Sequence, residues 1–187
     1  MKQATYTVHG TTPLLMHSER LADPFDPLTV ELKTLTKLRN KTQDDLLEIA
    51  RLEWLGGLYH DETGIFLPGY NVLAALVGGG KMRKLGTAIK RGAIVQEDKV
   101  PVEYTGPKNP DELFKNKSFV DIRSVKVGTA KVTRCRPKFT DWKITFTLLY
   151  ANDTLQKSDL DLVVQDTGAM IGIGDYRPRF GRFEVVR

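Results

Sequence analysis

Glycines and arginines crowd the last part of the chain, residues 172–187, whose sequence is GIGDYRPRFGRFEVVR. Glycine allows a positive φ and lets backbone amides approach an oxyanion, while arginine offers a planar fork of donors that suits phosphate. The stretch therefore predicts a phosphate-binding loop followed by a strand. Its candidate residues are Gly172, Gly174, Tyr176, Arg177, Arg179, Phe180, Gly181 and Arg182. A helix cap and a tight turn with solvated arginines is the alternative for the same spacing.

Two further segments concentrate positive charge in a chain whose net charge is +5. Residues 81–91 hold five basic residues and no acidic one, and residues 115–138 hold eight basic residues with Asp121 as their one acid. Such segregation favours an anionic polymer as partner, and a solvated polar face is the alternative. The candidates are Lys81, Arg83, Lys84, Lys90 and Arg91 in the first segment, and Arg123, Lys126, Lys131, Arg134 and Arg136 in the second.

Groups that could catalyse a reaction or hold a cofactor are sparse. The histidines include no pair at metal-ligand spacing, and Cys135 is the one cysteine of the sequence. Gly172 and Gly174 are not followed by the third glycine of a dinucleotide fingerprint. We therefore expect no metal, no cofactor and no catalytic set. Two weaker ideas stay open: His17 as the general acid or base of a nuclease, and a lowered pKa of Cys135 in its basic segment.

The hydrophobic pattern outlines the elements that must position these residues. Residues 4–9 and 142–150 alternate as strands do, and the runs 123–127 and 130–139 flank Gly128 as in a hairpin. Residues 98–118, which hold three prolines, are predicted to form a surface loop.

Helices are predicted next to these strands. One starts at Pro68 and ends at the glycines 78–80, and another runs from an N-cap at Ser158 to about Met170, before a last strand at 181–187. The order strand, helix, strand, strand, helix, strand predicts an α+β fold. It is that of a ferredoxin-like (RRM-like) split-βαβ antiparallel sheet, with helices on one face and an open face on the other.

Two segments interrupt this order. A loop at 23–27 and helices at 29–38 and 42–59, the second capped by Thr42, predict a helical insertion at about 24–60. A basic arm at about 78–93 is expected as a flexible segment or a second short helix. We expect a single domain, 1–187, that carries both.

The chain holds no apolar run of the roughly 20 residues that cross a bilayer. Its start resembles a strand rather than a secretory signal, and a lone cysteine suits a reducing compartment. We therefore expect a cytoplasmic protein with no membrane partner.

The sequence resembles the RAMP superfamily, the ferredoxin-like RNA-binding subunits of CRISPR effector complexes, and above all their backbone-forming members. The matching motifs are the opening TYTVHGTTPLLMHS, the run IFLPGYNVLAALV and the ending MIGIGDYRPRFGRFEV. It is also similar to small proteins encoded by tailed phages, in which case the location would be the host cytoplasm. The helical insertion is not part of the resemblance.

The resemblance implies roles for the candidate residues. Gly172, Gly174 and Gly181 would form a loop against a nucleic-acid backbone, Arg177, Arg179 and Arg182 would contact its phosphates, and the basic arm would act like a thumb inserted between nucleotides.

We therefore expect a non-catalytic, sequence-nonspecific binder of single-stranded RNA or DNA that assembles side by side along the strand, as a homo-oligomer or filament. One alternative is a metal-independent RNA-processing nuclease. Another is a protein-binding assembly or inhibitor factor that acts through the acidic helical hairpin at 29–59.

Overall fold

The structure is a computed structural model that describes residues 1–186, so Arg187, the predicted end of the last strand, lies outside the described residues. The chain divides into two compact units. The first unit comprises residues 1–14, 60–105 and the chain from Thr140 onward, and the second comprises residues 15–59 and 106–139.

Both units contain strands and helices. The strands are β1 (Lys2–Gly10), β2 (Leu14–Leu15), β3 (His60–Asp61), β4 (Gly64–Pro68), β5 (Ala93–Val95), β6 (Lys99–Glu103), β7 (Val120–Val127), β8 (Ala130–Phe139), β9 (Lys143–Tyr150) and β10 (Phe183–Val185). The helices are α1 (Pro27–Thr36), α2 (Gln43–Gly57), α3 (Gly69–Met82), α4 (Gly86–Gly92), α5 (Pro110–Lys115) and α6 (Lys157–Asp166), and a π-helical turn, Thr167–Ile171, continues α6.

The first unit is built on one sheet. Its strands follow the order β10-β1-β9-β6-β4-β3, β5 also pairs with β9, and the pairs are antiparallel. The predicted α+β class with a mostly antiparallel sheet is therefore confirmed. The strand order is compatible with the predicted ferredoxin-like arrangement.

Alternation in β1 and β9 gives this sheet a buried and an exposed face. Val8, Ile144 and Phe146 on one face are almost fully buried. Helix α6 lies against this face, where the Tyr6 hydroxyl donates a 2.8 Å hydrogen bond to Asp161 of the helix. The clean period-2 pattern predicted for the strand at 142–150 is confirmed.

The exposed face of the same strands carries pairs of threonines. The hydroxyl groups of Thr5 and Thr147 are 3.2 Å apart, and those of Thr7 and Thr145 are 2.9 Å apart. The open face thus offers short hydroxyl groups at its centre.

The prediction of a surface loop at 98–118 is wrong. Strand β6 pairs with β4 and β9, and Val100 and Val102 are buried on either side of Pro101. Helix α5 then begins at Pro110, where the Asn109 side chain accepts hydrogen bonds from two backbone amides. The three prolines predict breaks, but Pro101 fits within a short strand and Pro110 fits the first turn of a helix.

Helix α3 does not end at the glycines 78–80, as predicted, but continues to Met82. A β-carbon on Gly79 would lie 2.1 Å from Thr167 Oγ1, and one on Gly80 would lie 2.5 Å from Ile89 Cδ1. The glycines are therefore accommodated inside the helix because neighbouring elements pack closely against it. The basic arm is predicted either as a flexible segment or as a short helix after α3. The structure shows a short helix, α4, in this segment.

The N-terminal end of α6 also differs from prediction. The helix begins at Lys157, and its N-cap is Gln156 rather than Ser158; the Gln156 side chain makes no capping hydrogen bond to the helix.

The second unit combines α1 and α2 with a sheet of order β2-β8-β7. Its centre includes Trp54, which is fully buried and donates a 2.9 Å hydrogen bond to the Phe119 carbonyl. The predicted cap at Thr42 is confirmed, with Asp45 completing a capping box. Helix α1 begins at Pro27, earlier than predicted, because the Asp26 carboxylate accepts from the amides of its first turn.

The predicted hairpin at 123–139 is confirmed as β7 and β8, with Gly128 at a φ of 61° in the turn. The hairpin belongs to the second unit, whereas the strands that pair with β9 in the first unit are β1, β5 and β6.

Candidate nucleic-acid interface

The C-terminal loop, residues 172–182, joins the π-helical turn to β10 within the first unit. Its glycines all have positive φ: 75° at Gly172, 81° at Gly174 and 72° at Gly181. Only glycine adopts such angles without strain. The predicted need for glycine at these positions therefore has a direct conformational cause.

Two of these glycines also allow a close approach of backbone to backbone. A β-carbon on Gly172 would lie 2.7 Å from the Phe180 carbonyl oxygen, and one on Gly181 would lie 1.7 Å from that of Ile173. The Gly172 amide donates to the Thr167 carbonyl, and the Gly181 amide donates to the Pro13 carbonyl, each at 2.8 Å. These two hydrogen bonds attach the loop to the π-helical turn and to Pro13, so both amides are satisfied without a phosphate.

The arginines of the loop differ in exposure. Arg177 and Arg179 are exposed, whereas Arg182 is half-buried and its Nε donates a 2.8 Å hydrogen bond to the Pro178 carbonyl. Arg177 and Arg179 are thus the cations of this loop that face solvent.

The aromatic residues of the loop pack against each other. The rings of Tyr176 and Phe180 meet edge to face, with centroids 5.9 Å apart. Phe180 is 8% exposed and Tyr176 is 41% exposed. Phe180 therefore supports the loop from inside, and Tyr176 presents a ring to solvent.

The basic arm lies at the C-terminal end of α3 and along α4. Lys81, Lys84, Lys90 and Arg91 are exposed. Arg83 instead forms an ion pair with Asp166, with Nε 2.6 Å from the carboxylate oxygen. This pair neutralises Arg83 and ties the end of α3 to the end of α6.

Two grooves run beside the outer face of α3. The α3–α4 groove has a volume of about 520 Å³, and the α3–loop groove, between α3 and the C-terminal loop, has a volume of about 610 Å³. Both are lined by Ala74, Val77 and Lys81. Since they share these three residues, the grooves form one continuous surface, called here the α3 surface.

The α3 surface brings together parts of two predicted segments. Lys81, Lys84 and Lys90 line the α3–α4 groove, while Lys81, Gly174, Tyr176 and Arg177 line the α3–loop groove. Asp175 also lines the second groove, and it is half-buried. Arg91 and Arg179 are exposed but do not belong to the lining described for either groove.

The sequence-based prediction missed Tyr70 and Leu73 as surface residues. Tyr70 is 53% exposed, and both residues line the α3–α4 groove. The signal was the spacing of Tyr70, Leu73, Val77 and Lys81, which recur at helical intervals on a second face of α3. Leu73 and Val77 directly follow the buried Val72 and Leu76 in sequence, so the apolar pattern alone does not separate the two faces of α3.

The cations of the β7–β8 hairpin belong to the second unit, and internal acids neutralise some of them. Arg123 forms an ion pair with Asp121, and Arg134 Nη1 lies 2.6 Å from the carboxylate of the buried Glu53. Arg136 is 8% exposed. Arg123 and Arg134 are therefore paired with acidic residues of the same unit, and Arg136 is buried in it.

Lys126 and Lys131 remain exposed on the hairpin, directly opposite each other on β7 and β8. Like charges in this register repel each other, so an anion near them would relieve the repulsion.

The two residues considered for catalysis, His17 and Cys135, both belong to the second unit. His17 is exposed, and the arginine-bearing loop is part of the first unit. Burial and the nearby Glu53 raise the pKa of the Cys135 thiol to about 12, which corrects the prediction of a lowered value. Among residues 1–186, no group of three or more His, Cys, Asp or Glu side chains is arranged to hold a metal ion.

The chain matches no protein-family model, and no curated protein matches it. The resemblance to the RAMP superfamily therefore stays a prediction. Within the described part of the chain, no helix is both long enough and apolar enough to cross a membrane.

Proposed function

We propose that the protein binds single-stranded nucleic acid, without sequence specificity and without a chemical step, along the α3 surface. The observation that supports this proposal best is the convergence of Lys81, Lys84, Lys90 and Arg177 on two grooves that share a wall. These cations come from segments about 90 residues apart in sequence, so the fold itself assembles them.

The chemistry of the α3 surface suits a single strand. Lysine and arginine side chains bind backbone phosphates, and exposed aromatic rings stack on unpaired bases of any identity. Tyr70 lines one groove and Tyr176 the other, each with about half of its side chain exposed. A duplex keeps its bases stacked inside, so the tyrosines favour a single strand.

Side-by-side assembly along the strand is part of the proposal. Two grooves on one helix cover only a few nucleotides, so many protomers are needed to cover a long strand. Binding in this mode is cooperative, and its affinity per protomer rises with strand length.

The proposal is tested by fluorescence anisotropy with labelled RNA and DNA oligonucleotides of about 20 nucleotides, single-stranded and duplex, at two salt concentrations. We expect binding of the single strands that weakens with salt and that a double variant, Lys81→Glu with Arg177→Glu, abolishes. A matched variant, Lys33→Glu on the exposed side of α1, leaves binding unchanged. No binding even at low salt, or equal loss in both variants, contradicts the proposal.

A second candidate function is binding of another protein through α1 and α2. Phe25, Val30, Leu46 and Leu47 are exposed apolar side chains on or beside these helices, with between 48% and 89% of each accessible. Replacing Leu46 and Leu47 with serine would abolish such an association and leave oligonucleotide binding intact.

A further inference from the structure

The α3–α4 groove has the size and lining of a site for a small ligand. Its volume of about 520 Å³ lies within the range of small-molecule sites, about 300–1,000 Å³. Leu73, Ala74 and Val77 give it an apolar wall, and Gly86 and Thr87 line it from α4 with little side-chain bulk. A flat apolar group fits against such a wall.

The groove exists because α3 and α4 meet closely at one end. A β-carbon on Gly80 would lie 3.3 Å from the Gly86 Cα atom, and the Leu85 amide donates a 2.8 Å hydrogen bond to the Gly80 carbonyl. This tight turn fixes α4 against α3. The close packing of the two backbones therefore forms one end of the groove.

Positive charge lines the groove without compensation. Lys81, Lys84 and Lys90 belong to its lining, and the described lining includes no acidic side chain. Lys84 has a φ of 60°, a left-handed conformation that a non-glycine residue seldom adopts. Lys84 follows the end of α3, where the Lys84 and Leu85 amides donate to the Lys81 and Gly80 carbonyls and complete the helix cap. The cap thus places a cation in the lining of the groove.

An aromatic ring lies at the other end of the groove. Tyr70 is 53% exposed and precedes Lys81 by eleven residues on α3, a rise of about 16 Å along the helix. Both residues line the groove, which therefore runs along α3 from an aromatic ring to a cation. This arrangement suits a ligand with an aromatic group at one end and an anion at the other.

We infer that the α3–α4 groove is a binding site for one nucleoside phosphate, with the base against Tyr70 and the phosphate among Lys81, Lys84 and Lys90. The ligand is either a free nucleotide or one unit of a strand, since both present the same base, sugar and phosphate. This site uses part of the surface proposed for strand binding, but it does not require that strands bind.

Calorimetric titration of the intact protein with adenosine monophosphate tests the inference. We expect saturable binding with a dissociation constant below about 1 mM, and binding of adenosine or inorganic phosphate at least about tenfold weaker. Tyr70→Ala weakens nucleotide binding about tenfold, and Tyr70→Phe retains it, because the ring supplies the stacking.

The variant Lys84→Gly distinguishes a loss of nucleotide binding from a loss of stability. It removes a cation from the groove and relieves the left-handed strain, so nucleotide binding weakens while the melting temperature stays the same or rises. Lys33→Ala, on the exposed side of α1, leaves binding of the mononucleotide unchanged. Nucleotide binding that Lys84→Gly does not weaken, or an equal loss with Lys33→Ala, overturns the inference.

Parallel titrations with oligonucleotides and with oleate show whether the ligand is a free nucleotide, one unit of a strand or a lipid. If oligonucleotides bind and the mononucleotide does not, the inference is wrong and the proposed function stands. If the mononucleotide binds and oligonucleotides do not, the groove is a free-nucleotide site and the proposed function is wrong. If oleate binds more tightly than the nucleotide and Tyr70→Ala does not weaken it, the groove is a lipid site and the inference is overturned.

Discussion

Gly181 and Ile173 lie so close together that a β-carbon on Gly181 would be 1.7 Å from the Ile173 carbonyl oxygen. The Ile173 amide in turn donates a 2.9 Å hydrogen bond to the Gly181 carbonyl. The glycine-rich loop is therefore closed on itself, and its free cations, Arg177 and Arg179, extend from a rigid base. The first prediction follows from this contact.

Gly181→Ala is expected to reduce the free energy of unfolding by at least about 3 kcal/mol, because a positive φ and a backbone clash both penalise the methyl group. Urea denaturation measures the effect. Gly128→Ala is the matched control, since Gly128 has a φ of 61° but no atom within 4 Å of its β-carbon position. It should cost about 1–2 kcal/mol. Equal costs at the two positions would show that the close approach of Gly181 to Ile173 adds no penalty to that of the positive φ.

Glu53→Ala should destabilise the second unit by about 3 kcal/mol. The buried carboxylate accepts hydrogen bonds from Arg134 Nη1 at 2.6 Å and from the Cys135 amide at 2.7 Å, so its removal leaves a cation and an amide without their acceptor. Glu48→Ala, which removes an exposed ion pair with Arg51, should change stability by no more than about 0.5 kcal/mol. Thermal unfolding followed by circular dichroism compares the two variants.

Asp26 should contribute stability that depends on pH. The hydrogen bond from Arg20 lowers the pKa of this carboxyl in the folded protein, whereas its unfolded value is about 3.9. The contribution is therefore present above about pH 4 and is lost as the pH falls through the folded value.

Asp26→Asn keeps the helix cap but removes the charge, so it should cost about 0.5–1 kcal/mol at neutral pH after allowance for solvent screening. The cost should shrink as the pH falls below about 4 and through the lowered pKa of the folded protein, as measured by urea denaturation at each pH. A cost that stays constant with pH would mean that the ion pair with Arg20 adds nothing.

Cys135 should resist alkylation in the folded protein. Its side chain is 3% exposed, and burial raises the pKa of its thiol to about 12, so little thiolate forms at about pH 8. Iodoacetamide should modify the residue only after denaturation, as seen by mass spectrometry. Rapid modification of the native protein would show that the second unit opens readily.

The salt dependence of oligonucleotide binding should report on the α3 surface. If Lys81, Lys84, Lys90 and Arg177 each contact a phosphate, the slope of log affinity against log salt is about −2.8, from about −0.7 for each contact. Lys81→Ala should reduce the slope to about −2.1, whereas Lys33→Ala should not change it.

The same titration with Lys126→Ala and Lys131→Ala shows whether the β7–β8 hairpin contributes phosphate contacts. An unchanged slope restricts binding to the first unit.

Part of the fold could be predicted because its signals are local. The alternation of β9 follows from a strand period of two, and the Thr42 cap and the Gly128 turn each depend on residues close in sequence. Prolines and glycines misled the prediction where tertiary packing overrode them. Pro101 fits a strand held by two neighbours, and the glycines 78–80 continue a helix against which Thr167 and Ile89 pack.

The same distinction between local signals and tertiary packing applies to the candidate site. The sequence by itself determined the residue types: a loop whose glycines adopt positive φ, exposed arginines beside them, and a basic run that forms the end of one helix and the whole of another.

Only the tertiary structure decided which cations are available and what they surround. Arg83, Arg123 and Arg134 are paired with Asp166, Asp121 and Glu53, and two of these acids lie about 80 residues away in sequence. Lys81, Lys90 and Arg177 instead line the grooves of α3, where Tyr70 joins them. Ion pairs and grooves form between elements that are distant along the chain, so their members cannot be identified from local periodicity.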